Sequence, residues 1–293
     1  MQKANYKELK SNGFMPQVQK DCFSMRLRIA GGQITAEQLK KVYEIATEFG
    51  QGHIHVTARQ SMEIPFIKLE DIETVRARLA EAGLEPAAGG NRVRTITACQ
   101  GCTICPRGLI DAAGLARDMD ERYYGEPVPH KFKIGITGCR NNCLKAEEND
   151  LGIKGAMKPQ WRETDCTYCG ACAAVCPTKA ITVSRQDKTL VYTETECIQC
   201  GRCVKACPVK AWEGRPGFTV YFGGTFGNSI RIGKRVLPTL FEITDLHRVI
   251  EATMEFFREH GKPKERLAYT LERVGWDVFE EKLNSSLQTE TRI

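Results

Sequence analysis

Eight cysteines stand in two copies of one pattern, Cys166-x2-Cys169-x2-Cys172-x3-Cys176-Pro177 and Cys197-x2-Cys200-x2-Cys203-x3-Cys207-Pro208. No other feature limits the fold so tightly. A run of this spacing gives three thiolates to one 4Fe-4S cube and sends its fourth to the neighbouring cube. Cys166, Cys169, Cys172 and Cys207 are therefore assigned to one cluster, and Cys197, Cys200, Cys203 and Cys176 to a second. The runs occupy only residues 166–208 of 293, so they describe an electron-carrying module and leave most of the chain to explain.

That remaining length admits one large core beside a small inserted or appended unit. With 42% hydrophobic and 27% charged residues, and neither a run of 18 apolar residues nor an apolar signal region, the chain reads as globular, cytoplasmic and without a membrane span. Thiols stay reduced in that compartment, so 14 cysteines at this spacing point to metal ligation and not to a disulfide framework. The 42 basic and 36 acidic residues, net +6, form no long single-sign block, which argues against a nucleic-acid partner. A mild basic excess suits an anionic substrate if cations converge in one pocket.

Residues 22–30 alternate Met25, Leu27 and Ile29 against Ser24, Arg26 and Arg28, the period of a half-buried strand. Thr35 and Gln38 form a capping box for a helix that Gly50 stops. His53 to Thr57 and Met62 to Phe66 read as short strands, Asp71 as the cap of a helix to Ala82, and Arg92 to Thr97 as a further strand. This strand-helix-strand-strand-helix-strand order is the ferredoxin-like split pattern. A helix is expected over 107–120, strands over Lys131 to Thr137 and Phe218 to Phe222, and amphipathic helices over Leu246 to His260 and Lys264 to Gly275. Lys158-Pro159 and Gly214 to Gly217 bracket the cysteine runs. The expected architecture is α+β: a ferredoxin-like domain over 1–90, a cluster-binding α/β domain over 91–157 and 216–293, and an inserted two-cluster ferredoxin domain over 158–215.

Six cysteines remain. Cys99, Cys102 and Cys105 follow one expected strand, Cys139 and Cys143 another, and Cys22 stands apart. Four of these thiolates could hold a third cube or a zinc ion, and spacing alone does not separate the two.

Cys99-x5-Cys105 followed by Cys139-x3-Cys143 resembles the siroheme and 4Fe-4S sulfite and nitrite reductases. The similarity extends through Thr57-Ala58-Arg59-Gln60, Asn91-Arg92-Val93-Arg94, Pro129-His130-Lys131-Phe132-Lys133 and Gly138-Cys139-Arg140-Asn141-Asn142-Cys143, over residues 20 to 283. An iron-sulfur insert after Cys-x3-Cys resembles the dissimilatory and anaerobic branches, and the single-copy length resembles the catalytic C subunits of anaerobic sulfite reductases. The chain departs from the family at Gln100 and Arg140, where proline is common, and at Cys102 within the x5 gap.

The resemblance implies siroheme and a third cube held by Cys99, Cys105, Cys139 and Cys143, with Cys143 shared between the two. It implies Arg59, Arg94, Lys131 and Lys133 as the anion-binding and catalytic cations, the arginines orienting sulfite through their fixed forks and a lysine donating protons. Arg26, Arg28, Thr57, Gln60, Asn142 and Arg231 are implied as cofactor contacts, with Lys234 a further candidate. Without that resemblance, Lys131 and Lys133 would read as a solvated strand face and the arginines as surface charges; His53 and His55 read as packing residues. The implied reaction is the six-electron reduction of sulfite to sulfide, fed through the inserted clusters. Nitrite reduction is the nearest alternative, although Arg94 occupies a position that is usually an amide in nitrite-reducing relatives. An electron-transfer subunit without siroheme is the alternative of a different class, and the retained cysteines and cations argue against it. No GxGxxG after a strand suggests nicotinamide or flavin binding, so electrons are expected from a flavin and ferredoxin subunit pair or a free ferredoxin. The single half implies either a self-sufficient chain or a homo-oligomer or hetero-complex.

Overall fold

The structure is a computed structural model and describes residues 5–288. Helix α1 (Tyr6–Ser11) leads into β1 (Phe14–Pro16), β2 (Cys22–Arg26), α2 (Ala36–Phe49), β3 (His55–Val56), β4 (Met62–Lys68) and α3 (Ile72–Ala80). The four strands form an antiparallel sheet in the order β1-β2-β4-β3. Its inner face is the alternating set expected from the sequence: Phe23 pairs with Ile67 and Met25 with Ile64, and all four are fully buried. A bulge between these pairs is absorbed by Phe66 in a left-handed conformation (φ 68°). The capping box forms as read. Thr35 Oγ1 accepts from Gln38 N at 3.1 Å, Gln38 Oε1 accepts from Thr35 N at 3.1 Å, and Gly50 ends the helix.

Two expectations fail here. Asp71 makes no side-chain cap, because a 3-10 turn over Leu69–Asp71 already gives it helical backbone angles, whereas a capping carboxylate needs an extended residue. Residues 92–97 do not complete the first sheet. That edge is reduced to a single bridge between Leu27 and Pro86, which lacks an N–H to extend the ladder. Arg92 and Val93 instead bridge to Pro127 and Phe132.

The second sheet begins at β5 (Thr97–Ala98). After α4 (Ala112–Tyr123) come β6 (Ile134–Thr137) and β7 (Leu151–Trp161), which pair in parallel in the order β5-β6-β7. The cysteine-rich segment then folds as α5 (Ala171–Val175), the hairpin β8 (Ile181–Ser184) and β9 (Thr189–Tyr192), and α6 (Arg202–Ala206), before β10 (Trp212–Phe222) returns. Strand β10 pairs with β7 along its whole length, from Trp212 opposite Trp161 to Phe222 opposite Leu151. Lys158-Pro159 and Gly214 to Gly217, expected to mark the entry to and exit from the insert, lie inside this continuous ladder. Beyond Lys154, β7 has left its pairing with β6, so Pro159 costs no central hydrogen bond.

Helices α7 (Ile243–His260), α8 (Leu267–Val274) and α9 (Trp276–Leu287) close the second core, where Phe132, Phe222, Phe256, Phe257 and Phe279 are all buried. Among the described residues, no helix is long and apolar enough to cross a membrane.

Candidate active site and cluster-binding loops

The turn between β3 and β4 is Thr57-Ala58-Arg59-Gln60, closed by Thr57 N donating to Ser61 O at 2.8 Å and by Gln60 at a left-handed φ of 56°. It points Arg59 into a cavity of about 300 Å³ whose lining includes Arg26, Thr57, Arg59, Arg94, Lys131 and Lys133. The four cations expected to handle the anion thus share one cavity, although they come from three separated stretches of chain. Arg59 donates from Nη2 to Thr95 O at 2.9 Å and from Nη1 to Asn149 Oδ1 at 3.4 Å. Arg94 donates from Nη1 to Ala88 O at 3.1 Å and from Nη2 to Gly90 O at 2.9 Å, while its buried Nε has no partner. Arg26 pairs with Glu63 at 2.7 Å.

Packing these cations together lowers their hold on protons. Burial first, then the Arg94 charge, brings Arg59 down to about 10. Burial, then Arg59 and Arg266, brings Lys133 down to about 8. Lys131 and His130 are depressed in the same direction, mainly by burial. Asp150 opposes the trend at Arg59, Lys131 and Lys133. It is fully buried and accepts from both Nε (2.9 Å) and Nη2 (2.7 Å) of Arg266.

Strand β5 ends directly before Cys99, and β6 ends at Thr137, two residues before Cys139. Gly138 N donates to Cys99 Sγ at 3.0 Å, which brings the two loops together. The Cys139 thiol is pushed up by burial, with further contributions from Cys99, Cys105 and Cys143, so these four thiols are electrostatic neighbours. Cys102 is exposed and lines a different cavity, with Leu109, Ile110 and Asp111. Among the described residues no three His, Cys, Asp or Glu side chains converge closely enough for a single metal ion.

In the insert, one small cavity is lined by Cys166, Cys169, Cys172 and Cys207 under Trp212. Cys203 is pushed up to about 12 by burial and by Cys197 and Cys200. Cys176 and Cys200 line a groove of about 550 Å³ that also includes Cys139, Arg140 and Lys205. The two runs repeat in three dimensions: Tyr168 and Gln199, and Lys179 and Lys210, take left-handed backbone at matching positions. Tyr168 N donates to Cys166 Sγ at 3.4 Å and Gln199 N to Cys197 Sγ at 3.3 Å, as N–H groups do toward cluster thiolates.

Four expected cofactor contacts lie off the cation cavity. The Gln60 amide is used on both sides by Ala98, donating to its carbonyl at 2.8 Å and accepting from its N–H at 2.9 Å, which braces the strand before Cys99. Arg28 pairs with Asp120 at 2.6 Å and with Glu85, over the ring of Tyr124. Asn142 donates to Glu147 at 2.8 Å and accepts from Ala146 N at 2.9 Å, shaping the loop beside Cys143. Arg231 pairs with Glu272 over the ring of Tyr269. Sequence reasoning missed Asn149, Asp150 and Arg266; the Arg266 to Asp150 pair spans 116 residues, and no local pattern could have announced it.

Residues 89–291 match the nitrite and sulphite reductase 4Fe-4S domain, and residues 15–82 the nitrite/sulfite reductase ferredoxin-like half domain. The chain belongs to the nitrite and sulfite reductase family, whose members bind siroheme and a 4Fe-4S cluster. It is 37% identical over 262 residues to the coenzyme F420-dependent sulfite reductase of Methanocaldococcus jannaschii, covering 89% of this chain and 42% of that protein. It is 34% identical over 283 residues to the C subunit of the anaerobic sulfite reductase of Salmonella typhimurium, covering 89% of this chain and 83% of the relative. In fold it is similar to dissimilatory sulfite reductase I, with a TM-score of 0.74 at 20% identity over 93% of this chain and 72% of the other. The chain thus spans less than half of the first of these relatives and most of the second.

Proposed function

We propose that this chain carries out the six-electron, six-proton reduction of sulfite to sulfide, and that its insert is a two-cluster ferredoxin module delivering the electrons. The observation that carries the reading is the convergence of Arg59, Arg94, Lys131 and Lys133 on one cavity, tied through Asn149 to the loop that bears Cys143. The donor chemistry fits the groups expected there. Four neighbouring thiols without convergence on one point suit a cube, whose four thiolates each bind a different iron, better than a zinc ion held by all four. Cys143, exposed beside the half-buried Cys99, Cys105 and Cys139, has room for a neighbouring centre. Arg26, Arg59, Arg94 and the two lysines suit the carboxylates of siroheme as well as an oxyanion.

When bound, siroheme and the clusters supply the one-electron chemistry. The chain's own residues do the rest. Arg59 and Arg94 orient the anion through fixed guanidinium donors, and the buried, unpartnered Nε of Arg94 offers one of them. Lys133 donates protons to departing oxygen, with its ammonium left free of ion pairs among the described residues and its acidity drawn toward neutrality. Lys131 stands two residues away at the same cavity and reinforces the field. Electrons enter from a separate donor polypeptide, and assembly into a larger complex is part of this reading, supported by the relative that is itself a subunit.

The test is an anaerobic absorption spectrum, extraction of the pigment into acidified acetone, and a reduced-viologen assay with sulfite and with nitrite. Extractable siroheme with sulfide as product and a higher kcat/KM for sulfite is expected. Protein from a siroheme-competent host with no extractable tetrapyrrole would sink the reductase reading, and a higher kcat/KM for nitrite would replace the substrate.

A further inference from the structure

Asn149 and Asp150 stand where the loop after Cys143 runs into β7, and they reach two of the cavity's cations at once. Asp150 Oδ2 accepts from Lys133 N at 2.9 Å, and its carboxylate receives Arg266 in a bidentate pair. Asn149 Oδ1 accepts from Arg59 Nη1 at 3.4 Å, while its Nδ2 donates to Ala146 O at 3.1 Å and Lys145 O at 3.4 Å. Gly223 N donates to Asp150 O at 2.9 Å. The Asp150 side chain is 0% exposed and that of Arg266 is 11% exposed, so the pair sits in a low dielectric where each charge is felt strongly.

We propose that Asp150, clamped by Arg266, is the positioning residue of this cavity: it fixes the Lys133 backbone and balances the positive charge gathered around the anion site. The proposal rests on the reading of that cavity as the sulfite site. The charges facing Lys133 are Arg59 from the β3–β4 turn, Lys131 from the same segment leading into β6, Arg266 at the cap of α8 and Asp150 just before β7. Three repel its proton and one retains it. Arg94 adds a further cation at the same cavity. An anion buried behind the lining lets the cavity stay cationic enough for an oxyanion without stripping its lysine of the proton it must give up. A carboxylate inside the cavity would repel the substrate; Asp150 avoids this because both its oxygens are engaged by Arg266 and the Lys133 N–H.

A buried pair kept only for packing would lose stability when broken and change nothing else. The two partners of a charge-balancing pair instead move Lys133 in opposite directions. In Asp150→Asn, which keeps an oxygen for the Lys133 N–H, the pH midpoint of Lys133 should fall by roughly one to two pH units; in Arg266→Gln it should rise by a similar amount. The experiment is trace labelling of the holoprotein with acetic anhydride across pH, read at Lys133 by peptide mass spectrometry, beside the pH profile of kcat. Opposed shifts in labelling support the proposal whatever the substrate. If they appear without matching movement of the kcat profile, the positioning role stands and Lys133 is not the proton donor. A midpoint that stays put in either variant, or moves the same way in both, overturns the proposal. Should both single variants fail to fold while Asp150→Asn combined with Arg266→Met folds with the native midpoint and turnover, the pair is structural and the proposal falls.

Discussion

In the proposed reaction, Lys133 is the residue on which the chemistry turns. A free lysine holds its proton to about 10.4; here burial and Arg59 bring it to about 8, so it is mostly protonated at neutral pH yet a far better acid than usual. As the donor, it makes kcat level below about pH 8 and falling above, since the deprotonated amine has nothing to give. Lys133→Ala should leave the visible spectrum unchanged and cut kcat by about a hundredfold or more, the usual worth of a positioned acid; undiminished turnover would remove Lys133 from the mechanism. Cys102→Ser should keep the full iron content, because Cys102 is exposed and lines a cavity that includes none of Cys99, Cys105, Cys139 and Cys143. Loss of about four irons per chain, one cube, would put Cys102 among the ligands. The cations and their grouping were legible only through the family resemblance, because they come from three separated stretches of chain. Arg94, read as an anion fork, turns out to spend both terminal nitrogens on backbone carbonyls, and Asp150 looked like any acidic residue until the fold placed Arg266 against it.

Strand β7 shows how an element shapes a site without lending it a side chain. A Cβ on Gly155 would lie 2.3 Å from Gly138 O, and one on Gly152 2.3 Å from Ala146 O. The loop carrying Cys139 and Cys143 therefore lies flat on β7 only because these positions are glycine. The obstructing atoms are backbone and cannot rotate away, so Gly155→Ala should lower stability by about 1–3 kcal/mol in urea titration and release iron from the neighbouring cube. Native stability with full iron would mean that the contact is not tight. At this scale local patterns were read well where local forces decide: the Thr35 box, the alternation through Phe23 and Met25, and the strand before Cys139. They say less where a distant partner decides: Lys158-Pro159 and Gly214 to Gly217 mark entry and exit of the insert in the sequence, and the ladder between β7 and β10 runs through both.

Across the whole molecule, two sequence runs that look interchangeable have unequal surroundings. Gln199 O accepts from Met157 N at 2.9 Å, the Gln199 amide oxygen accepts from the Thr239 hydroxyl, and Lys205 Nζ donates to Pro106 O at 2.8 Å and Gly108 O at 3.4 Å. The matching positions in the first run, 31 residues earlier, are Tyr168 and Ala174; Tyr168 turns its hydroxyl to Glu163 just ahead of its own run, and an alanine cannot reach across. The lysine thus joins the second run to the loop of Cys105, beside a groove lined by Cys139, by Cys200 of that run and by Cys176 of the first. Lys205→Ala should therefore quicken amide exchange over residues 199–206 and 106–108 at unchanged iron content, and slow the reoxidation of the reduced insert by sulfite. Tyr168→Ala should do neither. The β7–β10 ribbon still tethers the insert in both variants, so the difference between them isolates the lysine contact from simple detachment. Equal exchange in the two variants would show that the ribbon alone holds the module and that the asymmetry of the runs carries no function.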